Sequence, residues 1–557
     1  MSATSLSPRP ASVKELAPEN KVQVCGFWHI ALLTMSFVLG DLMATWNKWL
    51  TYGFWEFILA NFLVGSAYIC LMLCQAEMTS MLPFSGGSYG FARVTLGPFV
   101  GFIVGYMEVL SNFMFTVSVV EHFGDLVQKM MGSTKEPQPV YWLGFYIPAL
   151  ILLLSGSKYF YPVTAGLSVF SLAVIAIYLL GTSPEADFHK YVTEVDSSFF
   201  PSDWQSFLTL LPIISEFWLG FQSATLACED TEDVTTVVPR ALLSGVGVTF
   251  LLSFMLAFSV SSQYPGITEV GQFESPMNYG FADLFHIPEA AATIFSLIAV
   301  FGLGLTHMFA YSRQIMALAR SRLCSVCFKH TLGISDAPSV AILTGSVLSY
   351  GILLLGWAGF RKEVNSLLHA SLVFTFIVYL FIFASFLVFK INFSSMQRKF
   401  TNPIGYFSVA YGGSVFLLAV VAILALKEGD RAADVVSGAF VAAMFLYYYF
   451  VASKTQTYSQ EEQHLLLKLY VIKGKSMCDV VWRDGAMPLY ILALSSNTTP
   501  FQYMFVKATH RSGRRRGRRE HNRVKPVRGT GLAVLAVVVV VVAVTPKSAR
   551  SRAFKTY

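Results

Sequence analysis

The sequence predicts an all-α protein that crosses a membrane twelve times, its first ten spans forming two related five-helix halves. Three observations point there: a composition that water solvates poorly, a dozen apolar runs of spanning length, and a short internal repeat. Of the 557 residues, 54% are hydrophobic, 15% aromatic and only 13% charged, and the mean hydropathy is +0.57. Soluble globular chains carry roughly 25% charged residues, so this chain has too little polar surface to shield its apolar side chains from water. A bilayer does that instead. A spanning helix takes about 20 mostly apolar residues.

Runs of that kind, punctuated by polar residues or by Pro and Gly, cover 27–46, 54–78, 95–125, 140–156, 160–181, 206–227, 241–262, 289–319, 339–358, 365–389, 405–426 and 432–452. Residues 1–25 are polar and lack the short apolar core of a cleaved signal peptide. They are expected to stay in the cytoplasm, with the first span as an uncleaved anchor. Loops then placed inside carry a mild excess of Lys and Arg, and the acidic 182–205 segment suits an external loop. The expected organisation is a cytoplasmic segment at 1–25, a membrane domain at 26–455 and a disordered cytoplasmic tail at 456–557. Within the membrane domain the two repeats cover about 27–181 and 206–389, and two extra helices about 405–452. The net charge of +7 is concentrated in that tail, where RSGRRRGRR at 511–519 reads as a solvated basic block. The apolar run at 532–544 is too short to span. The sequons at Asn392 and Asn497 fall on the cytoplasmic side of this topology.

Residues 37–46 read FVLGDLMATW and residues 217–226 read FWLGFQSATL. Phe37 and Phe217, Leu39 and Leu219, Gly40 and Gly220, Ala44 and Ala224, and Thr45 and Thr225 coincide at one offset. One stretch lies in span 1 and the other in span 6, where a five-plus-five inverted repeat places its two interrupted helices. A helix opened at Gly leaves N–H and C=O groups unpaired, and these persist in a membrane only where they line a polar cavity. Half-helix N-termini attract anionic groups and freed carbonyls attract cations, so such a break suits a small dipolar molecule.

Four motifs then resemble one family. EMTSMLPFSGGSYGFARVTLGP, from Glu77 to Pro98, is similar to the loop between helices 2 and 3 of the amino acid–polyamine–organocation superfamily, through Glu77, Pro83, Gly86, Gly87, Tyr89, Phe91, Arg93 and Gly97. Glu229-Asp230 followed by Pro239-Arg240-Ala241 resembles its acidic pair and PRA element. AYSRQIMALARS matches through Tyr311, Arg313, Ala317 and Arg320, and MQRKFTNPIG through Met396, Arg398, Phe400, Pro403 and Gly405, with Lys399 at a usual Pro. Gly40-Asp41 and GFIVGYMEVLSN look most like ethanolamine permeases and their amino acid-transporting relatives. Ser111 and Gln222 depart from positions often acidic there. The resemblance implies a leucine-transporter-like fold and secondary transport of an amino acid or small amine by alternating access. The plasma membrane is the expected host, and the carboxylates within the spans make a proton the expected coupling ion, with sodium coupling or exchange as alternatives. Neither an organic cofactor, a metal nor a nucleic acid is expected as a partner.

Within that expectation, the site residues are Gly40, Asp41, Glu108, Asn112, Glu216, Trp218, Gly220, Phe221 and Gln222. Gly40 and Gly220 would open the backbone, although small residues also serve close helix contacts. Asp41 would hold an ammonium or coupling cation, or else cap a half-helix. Glu108 and Asn112 share one face of span 3, as an amine or proton site or as an interhelical packing pair. Glu216 follows the same logic nearer the outer vestibule. Trp218 and Phe221 would close over the substrate or pack. His307 reads as a proton relay or as a satisfied buried histidine. Arg93, Glu229, Asp230, Arg240 and Arg320 read as loop anchors and ion pairs of an inner gate. Cys324 and Cys327 form a lone CxxC with no second pair, and no HExxH, Walker A or dinucleotide motif is present. A non-transporting sensor that uses the same pocket remains an open alternative.

Overall fold

A computed structural model describes residues 24–463, apart from 83, 85, 133–137, 197–202, 274, 332–335, 394, 395, 397, 427–430, 460 and 461. The basic block and the apolar run of the tail lie outside the described residues, as does most of the N-terminal segment. Among the described residues the chain is helical, with no strand beyond a single bridge between Cys25 and Thr231. The long helices are α1 (Phe27–Ala44), α2 (Phe54–Met81), α4 (Pro98–Met131), α5 (Gln138–Leu154), α6 (Ser157–Thr182), α7 (Trp204–Phe217), α8 (Val234–Ser261), α11 (Glu289–Arg320), α12 (Ser339–Leu355), α13 (Arg361–Asn392), α14 (Tyr406–Leu426) and α15 (Arg431–Tyr447). Short helices α3 (Gly87–Thr95), α9 (Ile267–Val270) and α10 (Asn278–Phe285) lie at the two ends of the bundle. Among the described residues ten helical stretches are long and apolar enough to cross a membrane, and α5 is apolar but shorter. One of the ten, Ser339–Asn392, divides into α12 and α13 at a kink where Gly359 takes φ 111°.

Local sequence explains the helix ends. Gly97 at φ 105° precedes Pro98, whose missing N–H costs nothing at the first position of α4, and Gly132 in the left-handed region closes that helix. Asp203 caps α7, its carboxylate accepting from the N–H groups of Gln205 (3.1 Å) and Ser206 (3.0 Å).

Burial follows from which faces carry polar residues. In α1 every residue from Ile30 to Ala44 is buried, as befits a helix that is apolar all round and enclosed by α6, α8 and α11. Peripheral helices instead leave large apolar side chains bare, among them Ile151, Leu180, Leu251 and Val347. Water would penalise such a surface, whereas hydrocarbon does not. The chain is an integral, multi-pass membrane protein.

Candidate functional site

The predicted break in span 6 is present. After Phe217 the chain turns through Trp218 and Leu219, and Gly220 takes φ 102°, a left-handed conformation that disfavours any side chain. The path resumes as a ten-residue 3-10 helix, Phe221–Asp230, whose first internal bond runs from Ser223 N to Gly220 O at 2.9 Å. Runs of that geometry beyond three or four residues are uncommon and, mid-helix, mark hinges or strain.

The break predicted at Gly40 is absent, and this glycine serves helix packing instead. Gly40 lies inside the continuous α1, and a Cβ there would sit 2.7 Å from Leu303 Cβ and 3.0 Å from the Ala299 carbonyl. Its missing side chain lets α1 and α11 approach closely. The N–H groups around it belong to an intact helix, so they are not the carboxylate donors that a break would supply. Helical geometry in this segment changes only at Thr45, after which a 3-10 turn covers Trp46–Tyr52.

Around Gly220 neighbouring helices contribute buried polar atoms. From α4, Glu108 Oε1 accepts from Ser88 Oγ of α3 at 3.2 Å, and its Oε2 is buried with no hydrogen-bond partner among the described residues. One turn on, Asn112 Nδ2 donates to the Glu108 carbonyl (3.0 Å) and to Ser223 Oγ (3.2 Å), tying α4 to the 3-10 half of the broken span. From α11, His307 Nδ1 lies 3.0 Å from Asn112 Oδ1. From α13, Tyr379 donates to Gln222 Oε1 at 3.2 Å, meets the Gly220 backbone, and is within electrostatic reach of Glu108. Tyr68 OH of α2 donates to the Ser215 carbonyl at 3.0 Å, which also accepts the Trp218 N–H at 3.2 Å.

Trp218 and Phe221 are fully buried. Trp218 Nε1 donates to Asn61 Oδ1 at 3.0 Å, and its ring stacks on Tyr68 with centroids 6.2 Å apart. Phe221 packs edge-on against the same tyrosine. Together these rings make an aromatic wall on one side of the break. Asp41 belongs to a second group. Its Oδ1 accepts from Thr45 Oγ1 at 3.1 Å, Oδ2 is buried without a hydrogen-bond partner among the described residues, and the half-buried Glu216 is near enough to repel it. Eight of the nine predicted residues thus fall into two groups, Asp41 with Glu216, and Glu108, Asn112, Gln222 and the aromatics around Gly220. Gly40 contributes packing. Ser88, Tyr68, Tyr379 and Ser223 join the Gly220 group without a sequence signal, because hydroxyls and tyrosines in apolar runs carry none without knowledge of the partner helix.

At the α3 end of the bundle lies the charged network. Asp230 Oδ2 receives Arg313 Nη2 at 2.8 Å and Tyr161 OH at 2.9 Å, with Ser157 Oγ also 2.9 Å away. Glu229 takes a bidentate pair from Arg320 at 2.8 and 3.0 Å. Val24 N and Cys25 N both donate to the Asp230 carbonyl, strapping the segment before α1 to the end of the broken span. Arg240 is exposed and outside this network. Arg93 pairs with the buried Glu462 at 3.0 Å, which also accepts from Tyr89 OH and Ser321 Oγ. Packed chain therefore continues past 455, the boundary expected for the tail. Glu77 anchors a further loop, receiving Lys390, Arg398 and the Asn402 N–H.

A family model described as amino acid permease matches residues 26–452, and the chain belongs to that family. A methylthioribose transporter of Bacillus subtilis is 21% identical over 373 residues, which are 62% of this chain and 76% of that protein. An uncharacterized transporter of Rhizobium meliloti is 24% identical over 287 residues, 49% of this chain and 58% of its own length. Amino-acid permease BAT1 of Arabidopsis thaliana is 21% identical over 352 residues, 56% of this chain and 68% of that protein. Among solved structures, a manganese transporter of Eremococcus coleocola, in complex with an aromatic bis-isothiourea substituted compound, aligns with TM-score 0.47 and 12% identity. That alignment covers 84% of this chain and 97% of the other. The protein is a membrane transporter, not an enzyme.

Proposed function

We propose that this chain is a secondary active transporter of an amino acid or small amine, driven by protons and working by alternating access around the break at Gly220. The supporting observation is that left-handed break, set against buried carboxylate oxygens that have no hydrogen-bond partner among the described residues. A carboxylate held in a membrane interior costs several kcal/mol unless a proton or cation meets it. Glu108 Oε2 is thus a receptor for a substrate ammonium or for the coupling proton, and Asp41 beside Glu216 is a second cation position. The N–H groups of Phe221 and Gln222 precede the first internal bond of the 3-10 helix, so they can receive a substrate carboxylate at the positive end of its dipole. Gln222 and Asn112 orient the polar end, and Trp218 and Phe221 close over the apolar part. Ethanolamine would use only the ammonium half of this arrangement.

In this reading the chain has twelve spans, with inverted repeats at about 27–181 and 206–389, and resides in the plasma membrane. Both termini and the α3 end are cytoplasmic, in keeping with the Arg and Lys residues gathered there. The Asp230, Glu229 and Arg93 pairs then form the closed inner gate. The methylthioribose transporter and the proteins named as dicarboxylic amino acid and histidine permeases among the relatives widen the panel to test. Glu108→Gln should cut proton-driven uptake in proteoliposomes by tenfold or more while leaving the protein monodisperse. Uptake unchanged in that variant would remove Glu108 from the site.

A further inference from the structure

The imidazole of His307 has a role that its neighbours define. Asn112 Nδ2 is held by the Glu108 backbone carbonyl, which can only accept, so the Asn112 amide oxygen is the atom facing His307. Nδ1 of His307 must therefore carry the hydrogen. Nε2 is left as a bare acceptor, buried and without a hydrogen-bond partner among the described residues. An orphan acceptor in an apolar setting is costly unless something occupies it. The ring is 1% exposed and is flanked by Phe37 and Phe115, with centroids 5.1 and 4.6 Å away. Neither flank offers a charge to stabilise an imidazolium. A Cβ on Gly220 would lie 2.8 Å from His307 Cε1, so the imidazole edge abuts the break itself.

We propose that His307 is a neutral specificity residue whose Nε2 accepts an N–H from the substrate's amino group at the Gly220 break. The proposal rests on the reading of that break as the substrate site. It selects primary amines over fully alkylated ones, because a quaternary nitrogen has no hydrogen to donate. It also sets His307 apart from a proton relay, since a bond that holds Nδ1–H against an amide offers no onward acceptor for that proton.

Two substitutions separate the acceptor from the ring's structural bond. His307→Asn keeps an N–H donor near the Nδ1 position and removes the acceptor. His307→Gln places an amide oxygen near the Nε2 position. The measurement is competition binding to the purified full chain by labelled glycine, alanine, leucine, histidine and ethanolamine, each against its N-trimethyl counterpart. In the wild type the compound with N–H groups should win by about tenfold or more, the scale of one hydrogen bond to a charged donor. His307→Asn should bring that ratio near one, and His307→Gln should keep most of it. An unchanged ratio in His307→Asn overturns the proposal, as does equal loss in both variants, which would assign His307 to holding Asn112. Wild-type protein that binds no member of the panel overturns the substrate site as well.

Discussion

Gly220→Val should reduce uptake to background while the protein still inserts in the membrane. A left-handed backbone costs an L-residue about 1–2 kcal/mol, and a β-branched one suffers most. Space adds to that strain: the new Cβ would lie 2.5 Å from Phe37 Cδ1 and 2.8 Å from His307 Cε1, so both rings must move. Overpacking of this kind costs roughly 1–3 kcal/mol more. The chain can relieve both by turning residues 218–220 helical, but that removes the break from which the 3-10 half departs. Near-wild-type uptake in Gly220→Val would mean that the left-handed turn is incidental to transport.

Asp230→Ala should produce the largest loss of stability. The change leaves the Arg313 guanidinium, 5% exposed, without its 2.8 Å carboxylate partner. Breaking a buried pair on one side costs about 3–5 kcal/mol, because the remaining charge keeps its desolvation penalty. Glu229 lies 3.6 Å from Arg313 and softens the loss, which places it nearer about 3 than 5 on that scale. Tyr161 loses its acceptor in the same variant. Chemical unfolding in detergent measures the effect, and the double variant Asp230→Leu with Arg313→Met should recover most of it. Equal stability in wild type and Asp230→Ala would show that the network is not closed in solution.

Helix positions were legible in the sequence because a bilayer imposes length and apolarity on anything that spans it. So was the break in span 6, where Gly220 stands between Trp218 and Phe221, although the matching Gly40 lies in an unbroken helix. Gly40 was misread for a physical reason. A glycine in an apolar helix either opens the backbone or admits a neighbour, and the choice depends on Leu303 and Ala299, more than 250 residues away. Tyr379 and Ser88 were invisible on the same ground. Glu462 was missed because it lies in a polar segment beyond the last apolar run, and only Arg93, Tyr89 and Ser321 reveal its burial. Glu108 and Asn112 were legible because four-residue spacing puts two polar groups on one face of a helix that lipid could not tolerate. What Asn112 holds was not.

The most direct test of transport at this site is accumulation of labelled amino acids and ethanolamine by proteoliposomes containing the full chain, with and without an inward proton gradient. Concentration of at least one compound above its external level, only while the gradient lasts, is the expected result. Saturable binding with no accumulation under any gradient would contradict it and make the protein a sensor that shares the fold.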